Sequence, residues 1–164
     1  MNGRLARGFF LGAVAVIPMT LTHILIWGVT GRLTVMALVT RAMPSIIIAK
    51  MFGPGLSVPV HLLLAMIIHL GYGGLWGAIL FALTPRVTVW KGVAMGAFLY
   101  LGAHIFLQPL LGRGMFGAGS PERMFGIWFS IATHFTYGAS LGWLGGLSES
   151  SPEPSQKPAH APGD

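Results

Sequence analysis

Residues 58–83 read VPVHLLLAMIIHLGYGGLWGAILFAL, and this stretch decides the class of fold. It contains no Lys, Arg, Asp or Glu, and it exceeds the ~20 residues with which an α-helix crosses the apolar core of a bilayer. Inside a bilayer every backbone polar group must find its partner within the segment, so such a stretch spans as a helix. The sequence therefore predicts a helical membrane protein.

The rest of the chain has the same apolar character. Of its 164 residues 54% are hydrophobic and only 9% are charged, against about 25% charged in soluble domains. Further runs without charge cover residues 8–31, 92–112 and 124–148. We predict an all-α polytopic membrane protein with its transmembrane domain at residues 1–147. The four predicted transmembrane helices lie at about residues 8–28, 58–83, 86–110 and 121–146.

Two segments fall outside these spans. Residues 32–52 are broken by Arg32, Arg41 and Lys50, which favours an interfacial segment lying along the membrane over a fifth span. Residues 148–164 are rich in Ser, Pro and Glu and are predicted to form a disordered polar tail. The N-terminal basic residues resemble a signal peptide, but the apolar run continues to Gly31, which favours an uncleaved first helix.

Local signals place the helix ends. Pro18 is expected to kink the first helix. Thr84-Pro85 has the pattern of a cap and first-turn proline and is expected to open the third helix. The fourth is expected to open at residues 120–122, where Ser, Pro and Glu follow each other. The charge of the short N-terminal arm and of the 84–91 loop favours both chain termini on the cytoplasmic side.

Two stretches of the chain repeat one pattern. Residues 69–77 (HLGYGGLWG) and 134–142 (HFTYGASLG) both read H-x-x-Y-G-x-x-x-G. The first and third predicted helices each begin with two glycines four residues apart and carry a histidine late in the span, His23 and His104. We therefore predict two repeated helical hairpins that enter the membrane in the same direction.

The glycines of the repeat are interpreted as helix-packing positions. Helices in lipid associate where small residues let their backbones approach closely. The packing positions expected on this basis are Gly8, Gly12, Gly73, Gly77, Gly92, Gly96, Gly138, Gly142 and Gly146.

The histidines leave two interpretations open. A polar side chain within a span must face the protein interior and find a partner there. In the first interpretation, neutral side chains tie the helices together by hydrogen bonds, with Thr22 and Thr133 as further partners. The interhelical polar candidates are His23, Tyr72, His104, Gln108 and Tyr137, where each tyrosine shares a helix face with the histidine three residues before it.

In the second interpretation, a histidine pair on facing helices binds a cofactor. His69 and His134 could ligate haem b axially, with room for the ring beside Gly71, Gly73, Gly74 and Gly138. A metal ion held by several histidines, with methionine as a further ligand, is a variant of this interpretation.

Several functions are excluded or disfavoured by composition. The four acidic residues all lie outside the charge-free runs, so a Ser–His–Asp triad has no acid within a span. Residues 138–142 match G-x-S-x-G, but Ser140 lies inside a predicted helix and not on a strand-to-helix turn. Basic residues form no stripe of the kind that binds nucleic acid, and the absence of cysteine excludes thiolate metal sites.

The motifs together resemble a known group of proteins. They are the Pro18-Met19-Thr20 step, the MPSIIIAKMFG segment, the two H-x-x-Y-G stretches and FLQPLLGRGMFG. This pattern resembles a family of small bacterial four-helix membrane proteins, a domain of unknown function, and is distantly similar to the YagU-like inner-membrane proteins. The resemblance covers about residues 8–146. It implies a bacterial cytoplasmic membrane and no particular activity.

The function expected from the sequence is non-enzymatic. We expect a small integral membrane protein in contact with the lipid bilayer, acting as a homo-oligomer or as a subunit or stabiliser of a larger membrane complex. The first alternative is an electron-transfer protein with histidine-ligated haem b or metal. The second is a small transporter or channel that acts as an oligomer.

Overall fold

A computed structural model of the chain describes residues 3–34, 37–38, 42–53 and 55–150. Within these ranges the protein is built from helices and contains no strand, so the predicted all-α class is confirmed. The five main helices are α1 (Gly3–Val29), α2 (Met43–Phe52), α3 (Val58–Leu83), α4 (Val89–Gly102) and α5 (Arg123–Ser150).

The helix that begins as α4 does not end at Gly102. It continues through a π-helical turn, Ala103–Leu107, into a last α-helical turn, Gln108–Leu110. A short 3-10 turn, Met115–Gly117, lies in the glycine-rich connection to α5. We call the turn at Ala103–Leu107 the π turn.

Three helices are long and apolar enough to cross a membrane: α1, α3 and the continuous helix Val89–Leu110. A helical membrane protein is therefore the class that length and composition support. The fourth predicted span corresponds to α5, which is as long as the others but is the least apolar of the long helices.

Large apolar side chains cover the surface of the protein as well as filling its core. Large apolar side chains point outwards on every long helix, and Leu25 and Trp90 are 64% and 80% exposed. The core contains small and polar residues, among them Ala15, His104 and Thr133, beside Leu141. Exposed apolar area on this scale is unfavourable in water and is the normal exterior of a protein in lipid.

The long helices pack in a fixed order. α1 packs on both α3 and α5, α4 packs on α5, and α3 and α4 scarcely touch each other. The short helix α2 packs on α3, with Ser45 and Ile48 buried. α1 thus pairs with α3, and α4 pairs with α5. The packing of α5 on α1 joins the two pairs.

Glycines form the contact between α1 and α3. A Cβ atom on Gly12 would lie 2.8 Å from the Cα atom of Gly77 and would collide with the carbonyl oxygen of Gly73. A Cβ atom on Gly8 would lie 2.8 Å from the carbonyl oxygen of Gly77. Real Cβ atoms do not approach so closely, so this contact requires glycine and brings the two backbones together.

The contact between α4 and α5 is built in the same way. A Cβ atom on Gly92 would lie 2.6 Å from the amide nitrogen of Gly142 and would collide with the carbonyl oxygen of Gly138. A Cβ atom on Gly96 would collide with the carbonyl oxygen of His134. We call these two contacts the glycine seams.

One predicted packing glycine lies beside the seam and not in it. A Cβ atom on Gly146 would meet the carbonyl oxygen of Val87 at 3.7 Å, which is an ordinary contact distance. Its neighbour Gly145 is the crowded position, because a Cβ atom there would lie 2.9 Å from Val87 Cβ.

The helix ends differ from the sequence-based expectations. α1 starts at Gly3, earlier than predicted, and passes through Pro18 as one helix. Thr84 ends α3, and the cap of α4 is Thr88, whose side chain accepts a hydrogen bond from Lys91 N at 3.4 Å. Thr84-Pro85 therefore does not open the third span, because the chain needs residues 84–88 to turn between two antiparallel helices.

The two outer segments are described in part. α2 occupies the second half of the predicted interfacial segment 32–52, while residues 35–36 and 39–41 lie outside the described residues. α5 runs to Ser150 and so includes the first residues of the predicted tail. The remainder of that tail, residues 151–164, lies outside the described residues.

Candidate functional site

The four long helices carry four histidines that we consider together: His23 on α1, His69 on α3, His104 on the π turn and His134 on α5; α3 also buries His61 near its start. A positive charge on one of the four would disfavour a positive charge on the next, in the order His23, His69, His134 and His104. We call these four residues the histidine row. The row links all four long helices, although α3 and α4 scarcely touch.

The histidine row occupies two levels along the bundle. The glycine seams set the register, because Gly12 lies level with residues 73–77 and Gly96 lies level with residues 134–138. At 1.5 Å per residue, His23 and His104 then lie roughly 8 Å further from the seams than His69 and His134. The contact of His23 with Phe129, at 4.6 Å between ring centroids, agrees with this register.

His134 is held by its own helix. Its Nδ1 atom lies 2.8 Å from the carbonyl oxygen of Ser130 and 3.2 Å from the Ser130 hydroxyl oxygen. Because a carbonyl oxygen only accepts, Nδ1 carries the hydrogen and donates it. Nε2 is then the acceptor nitrogen of the neutral ring, and it is the atom that remains for a partner on another helix.

His104 lies in the most unusual backbone of the protein. It is 2% exposed and sits in the π turn between two aromatic rings, Tyr100 at 4.6 Å and Phe116 at 5.4 Å between centroids. Its Nδ1 atom is buried and has no hydrogen-bond partner among the described residues. Phe116 has a φ of 51°, a left-handed conformation that bulky residues rarely adopt. The same Tyr100 ring lies 6.3 Å from His134, so it bridges two histidines of the row.

His23 is enclosed by aromatic rings at the other end of the row. Its ring centroid lies 4.3 Å from that of Trp27 and 4.6 Å from that of Phe129. The His23 Nε2 and Trp27 Nε1 atoms are buried, and neither has a hydrogen-bond partner in the part of the chain that the structure describes. Both outer histidines of the row therefore present an unpartnered polar nitrogen.

The two tyrosines of the repeated pattern have different environments. Tyr137 is buried, and its hydroxyl donates a 2.6 Å hydrogen bond to the carbonyl oxygen of Gly73 on α3. Tyr72 is 49% exposed on the outer face of α3, with its ring 6.0 Å from that of Trp76. Of the two tyrosines, Tyr137 is the one that bonds across the two halves of the protein.

The remaining polar candidates fall into two groups. The hydroxyls of Thr22 and Thr133 bond to carbonyl oxygens of their own helices, Pro18 at 2.9 Å and Phe129 at 3.1 Å. Gln108 Oε1 is buried and has no partner among the described residues. The threonine hydroxyls therefore have hydrogen-bond partners within their own helices. Gln108, like His23 and His104, has a buried polar atom without a partner among the described residues.

The glycines beside His69 and His134 do not leave room for haem. The space over Gly74 holds the Phe9 ring, 2.8 Å from an added Cβ atom, and that over Gly73 holds Val16 and Gly12. Gly138 lies in a seam, and the Tyr137 side chain crosses the gap between α3 and α5. Of the four glycines proposed to leave room for the ring, only Gly71 faces open space. This pair therefore does not fit a flat macrocycle.

The histidine row does not form a compact metal centre either. Among the described residues no three His, Cys, Asp or Glu side chains are grouped so that they could hold a metal ion. Histidines spread over four helices in this way suit hydrogen bonding and proton exchange better than coordination of one ion.

Sequence reasoning missed a cluster at the opposite end of the bundle. Arg4 Nη2 lies 3.0 Å from Glu149 Oε1, and Glu149 Oε2 accepts a 2.7 Å hydrogen bond from the amide nitrogen of Val87. Arg4 Nε donates to the carbonyl oxygen of Phe81 at 2.8 Å. We call these contacts the clamp. They join the start of α1, the α3–α4 turn and the end of α5, and no local pattern in the sequence indicates them.

Comparison with protein-family models, with curated protein sequences and with solved structures finds no match for this chain. The resemblance to small bacterial four-helix membrane proteins therefore stays a prediction from the motifs.

Proposed function

We propose that the chain is a four-span integral membrane protein in which α5 is the fourth span. α5 carries no Lys, Arg, Asp or Glu at residues 124–148 and packs between α1 and α4. Its polar side chains, among them Thr133 and Tyr137, are buried by these neighbours. A helix enclosed in this way can span a membrane with a lower hydropathy, because lipid does not meet its polar face.

The clamp supports the predicted topology of two hairpins. It joins the N-terminal end of α1 with the C-terminal end of α5, which is possible when four helices cross in alternating directions. The opposite end carries as many basic residues, but at this end they lie in the short N-terminal arm and the short α3–α4 turn, where Lys91 Nζ bonds to the carbonyl oxygen of Arg86 at 2.6 Å. By the positive-inside rule we place the clamp on the cytoplasmic side of a bacterial inner membrane.

Within the membrane we propose a non-enzymatic role as a subunit of an assembly. The observation that carries this proposal is the exposure of Tyr72, 49%, near the middle of α3. A phenol hydroxyl is unfavourable in the middle of a bilayer unless it has a partner. Tyr137, the equivalent residue of the repeat, has such a partner in the backbone of another helix, whereas the polar group beside Tyr72 is the Trp76 side chain of its own helix. We propose that Tyr72 bonds in the same manner to a helix of a second copy.

Cross-linking tests the assembly. The chain contains no cysteine, so single cysteines at Leu75, which is exposed beside Tyr72, and at Phe10 on α1 report directly on proximity. In native bilayers we expect a disulfide-linked dimer from Leu75→Cys and monomer from Phe10→Cys. Monomer from both, with a blue-native mass of one chain, would contradict self-association. A cross-link from Leu75→Cys to a chain of different mass would replace the second copy with another subunit.

The second candidate function is proton or small-cation transport, and the histidine row is the observation that favours it. Intramembrane histidines that interact in series are typical of proton relays. The glycine seams limit this function, because backbone contacts such as that of Gly12 with Gly77 close the half of the bundle between the row and the clamp. A path through the membrane would therefore need a change of packing or a second copy. Acidification of pyranine-loaded proteoliposomes, compared with a His134→Phe variant, tests transport directly.

A further inference from the structure

Three unusual features meet where the helix that begins as α4 passes through the π turn. The helix widens into the π turn, His104 Nδ1 is buried without a hydrogen-bond partner among the described residues, and Phe116 has a left-handed backbone. The Phe116 ring stacks on the His104 ring at an interplanar angle of 25°. Widened helical turns and left-handed bulky residues both cost free energy and are concentrated at functional sites.

Four of the unpartnered polar atoms lie towards one end of the bundle. His104 Nδ1, Gln108 Oε1, His23 Nε2 and Thr20 Oγ1 are all buried without a partner in the described part of the chain. Each lies on the side of the glycine seams that faces away from the clamp. An unsatisfied buried polar group is unfavourable, so several together require partners of their own. Water bound by two to four polar groups is the usual partner at such positions.

We propose that the π turn builds a water-containing vestibule that opens away from the clamp, and that the histidine row binds a proton there. His104 is the entry residue, and the Phe116 ring is its cover. The inference rests on the proposed four spans and deepens the transport candidate, because it makes proton access one-sided. The ligand is water together with the proton that it delivers to an imidazole nitrogen.

The rings that contact the row are neutral: Tyr100 lies 4.6 Å from His104 and 6.3 Å from His134 between ring centroids. A charged pair lies beside the outer end of the row, where Arg32 Nε is 3.6 Å from Glu122 Oε1. The Arg32 guanidinium lies 4.1 Å over the Phe125 ring, which stacks on the Phe129 ring beside His23. The charge-free runs that contain the four histidines have no Lys, Arg, Asp or Glu, so a bound proton is stabilised by the neighbouring imidazoles and by water.

Thiol labelling tests the vestibule in a chain that has no native cysteine. Gln108→Cys places a thiol in the vestibule, and Phe106→Cys places one in the same helical segment at a side chain that is 68% exposed on the lipid side. The thiolate, which forms in water and not in hydrocarbon, attacks the sulfenyl sulfur of a methanethiosulfonate reagent, forms a mixed disulfide and releases methanesulfinate. We expect a membrane-impermeant methanethiosulfonate to label Gln108→Cys at least about tenfold faster than Phe106→Cys. Full labelling of both in SDS is the control for thiol integrity.

The outcomes separate the two proposals. Slow labelling of both thiols in bilayers contradicts the vestibule and leaves the four spans intact. Fast labelling of Phe106→Cys contradicts the membrane placement itself. Faster labelling of Gln108→Cys after Phe116→Gly, which accepts the left-handed backbone and removes the ring, supports Phe116 as the cover. An unchanged rate in that double variant contradicts this role.

Proton binding is tested by NMR of the protein with ¹⁵N-histidine in nanodiscs. We expect imidazole signals of the row to change with pH together, and the change at His104 to shift when His134 is replaced by Phe. His61→Phe, at a buried histidine outside the row, is the matched control and leaves the row unchanged. Row signals that stay neutral and constant throughout the pH range in which the fold persists would overturn proton binding.

Discussion

The hydroxyl of Tyr137 on α5 donates a 2.6 Å hydrogen bond to the carbonyl oxygen of Gly73 on α3. Both residues belong to the repeated H-x-x-Y-G pattern, so the second copy of the pattern bonds to the backbone of the first. The glycine makes this possible, because it has no side chain over its carbonyl group. The bond is buried and connects helices that lie in different halves of the protein.

Loss of this bond is expected to destabilise the protein. Tyr137→Phe keeps the ring and removes the donor, so the Gly73 carbonyl retains only its bond within the helix. We expect a loss of about 1 kcal/mol in the free energy of unfolding, measured by titration with SDS in mixed micelles. Tyr72→Phe is the control and leaves the unfolding of the monomer unchanged, since Tyr72 is half exposed. Equal effects of the two substitutions would contradict this account.

The glycine seams predict a sharp contrast between glycines of one helix. Gly77→Ala places a methyl group against the backbone of Gly8 and Gly12. We expect a cost of about 1–3 kcal/mol in the same unfolding assay, because rigid backbones must move apart.

The matched control is Gly71→Ala on the same helix, where an added Cβ atom meets nothing within 4 Å. It should be neutral or slightly stabilising, because alanine favours the helix by up to about 1 kcal/mol. A tolerated Gly77→Ala substitution would show that α1 and α3 do not approach as described.

The clamp predicts that the loss of stability depends on which substitution is made at Glu149. Glu149→Ala removes both the ion pair with Arg4 and the acceptor for the Val87 amide, and we expect a loss of about 1–2 kcal/mol. Glu149→Gln retains an acceptor oxygen and should lose less. Because Arg4 is partly exposed, salt should reduce the difference between the wild type and Glu149→Gln. Unfolding titrations at low and high ionic strength measure this, and a salt-independent difference would argue against the ion pair.

The packing around His69 and His134 predicts a protein without haem. Absorption spectra of the purified protein, oxidised and reduced with dithionite, should lack a Soret band even after expression with added haem. A Soret band that disappears in His69→Ala or His134→Ala would contradict this expectation. It would mean that α3 and α5 separate further than the Tyr137–Gly73 bond allows.

The helical class and most span positions follow from local information. A charge-free run such as residues 58–83 has to form a helix in lipid, and α3 has those same bounds. Gly12 and Gly77 are noticeable in the sequence because each follows another glycine by four residues. Glycine destabilises a helix, so such a pair indicates a packing role. The start of α4 was harder to predict, because Thr84 and Thr88 are both suitable capping residues. The turn between α3 and α4 decides which of them caps α4.

The site was only partly accessible to sequence reasoning. The four histidines are conspicuous as polar residues in apolar runs, but their order along the row depends on which helices are neighbours. The π turn and the conformation of Phe116 have no sequence pattern of their own. Arg4 and Glu149 meet only because their helices end at the same level, far apart in the chain.

The sequence by itself determined that this protein is helical, apolar on its outside and built with small residues where helices meet. These properties follow from backbone hydrogen bonding and solvation, which each segment satisfies locally. Only the tertiary structure decided that Tyr137 is buried while Tyr72 is half exposed, although both occupy the same position in one repeated pattern. The reason is that α5 lies between two helices whereas α3 has an open side, and the identity of a helix's neighbours is a property of the whole chain.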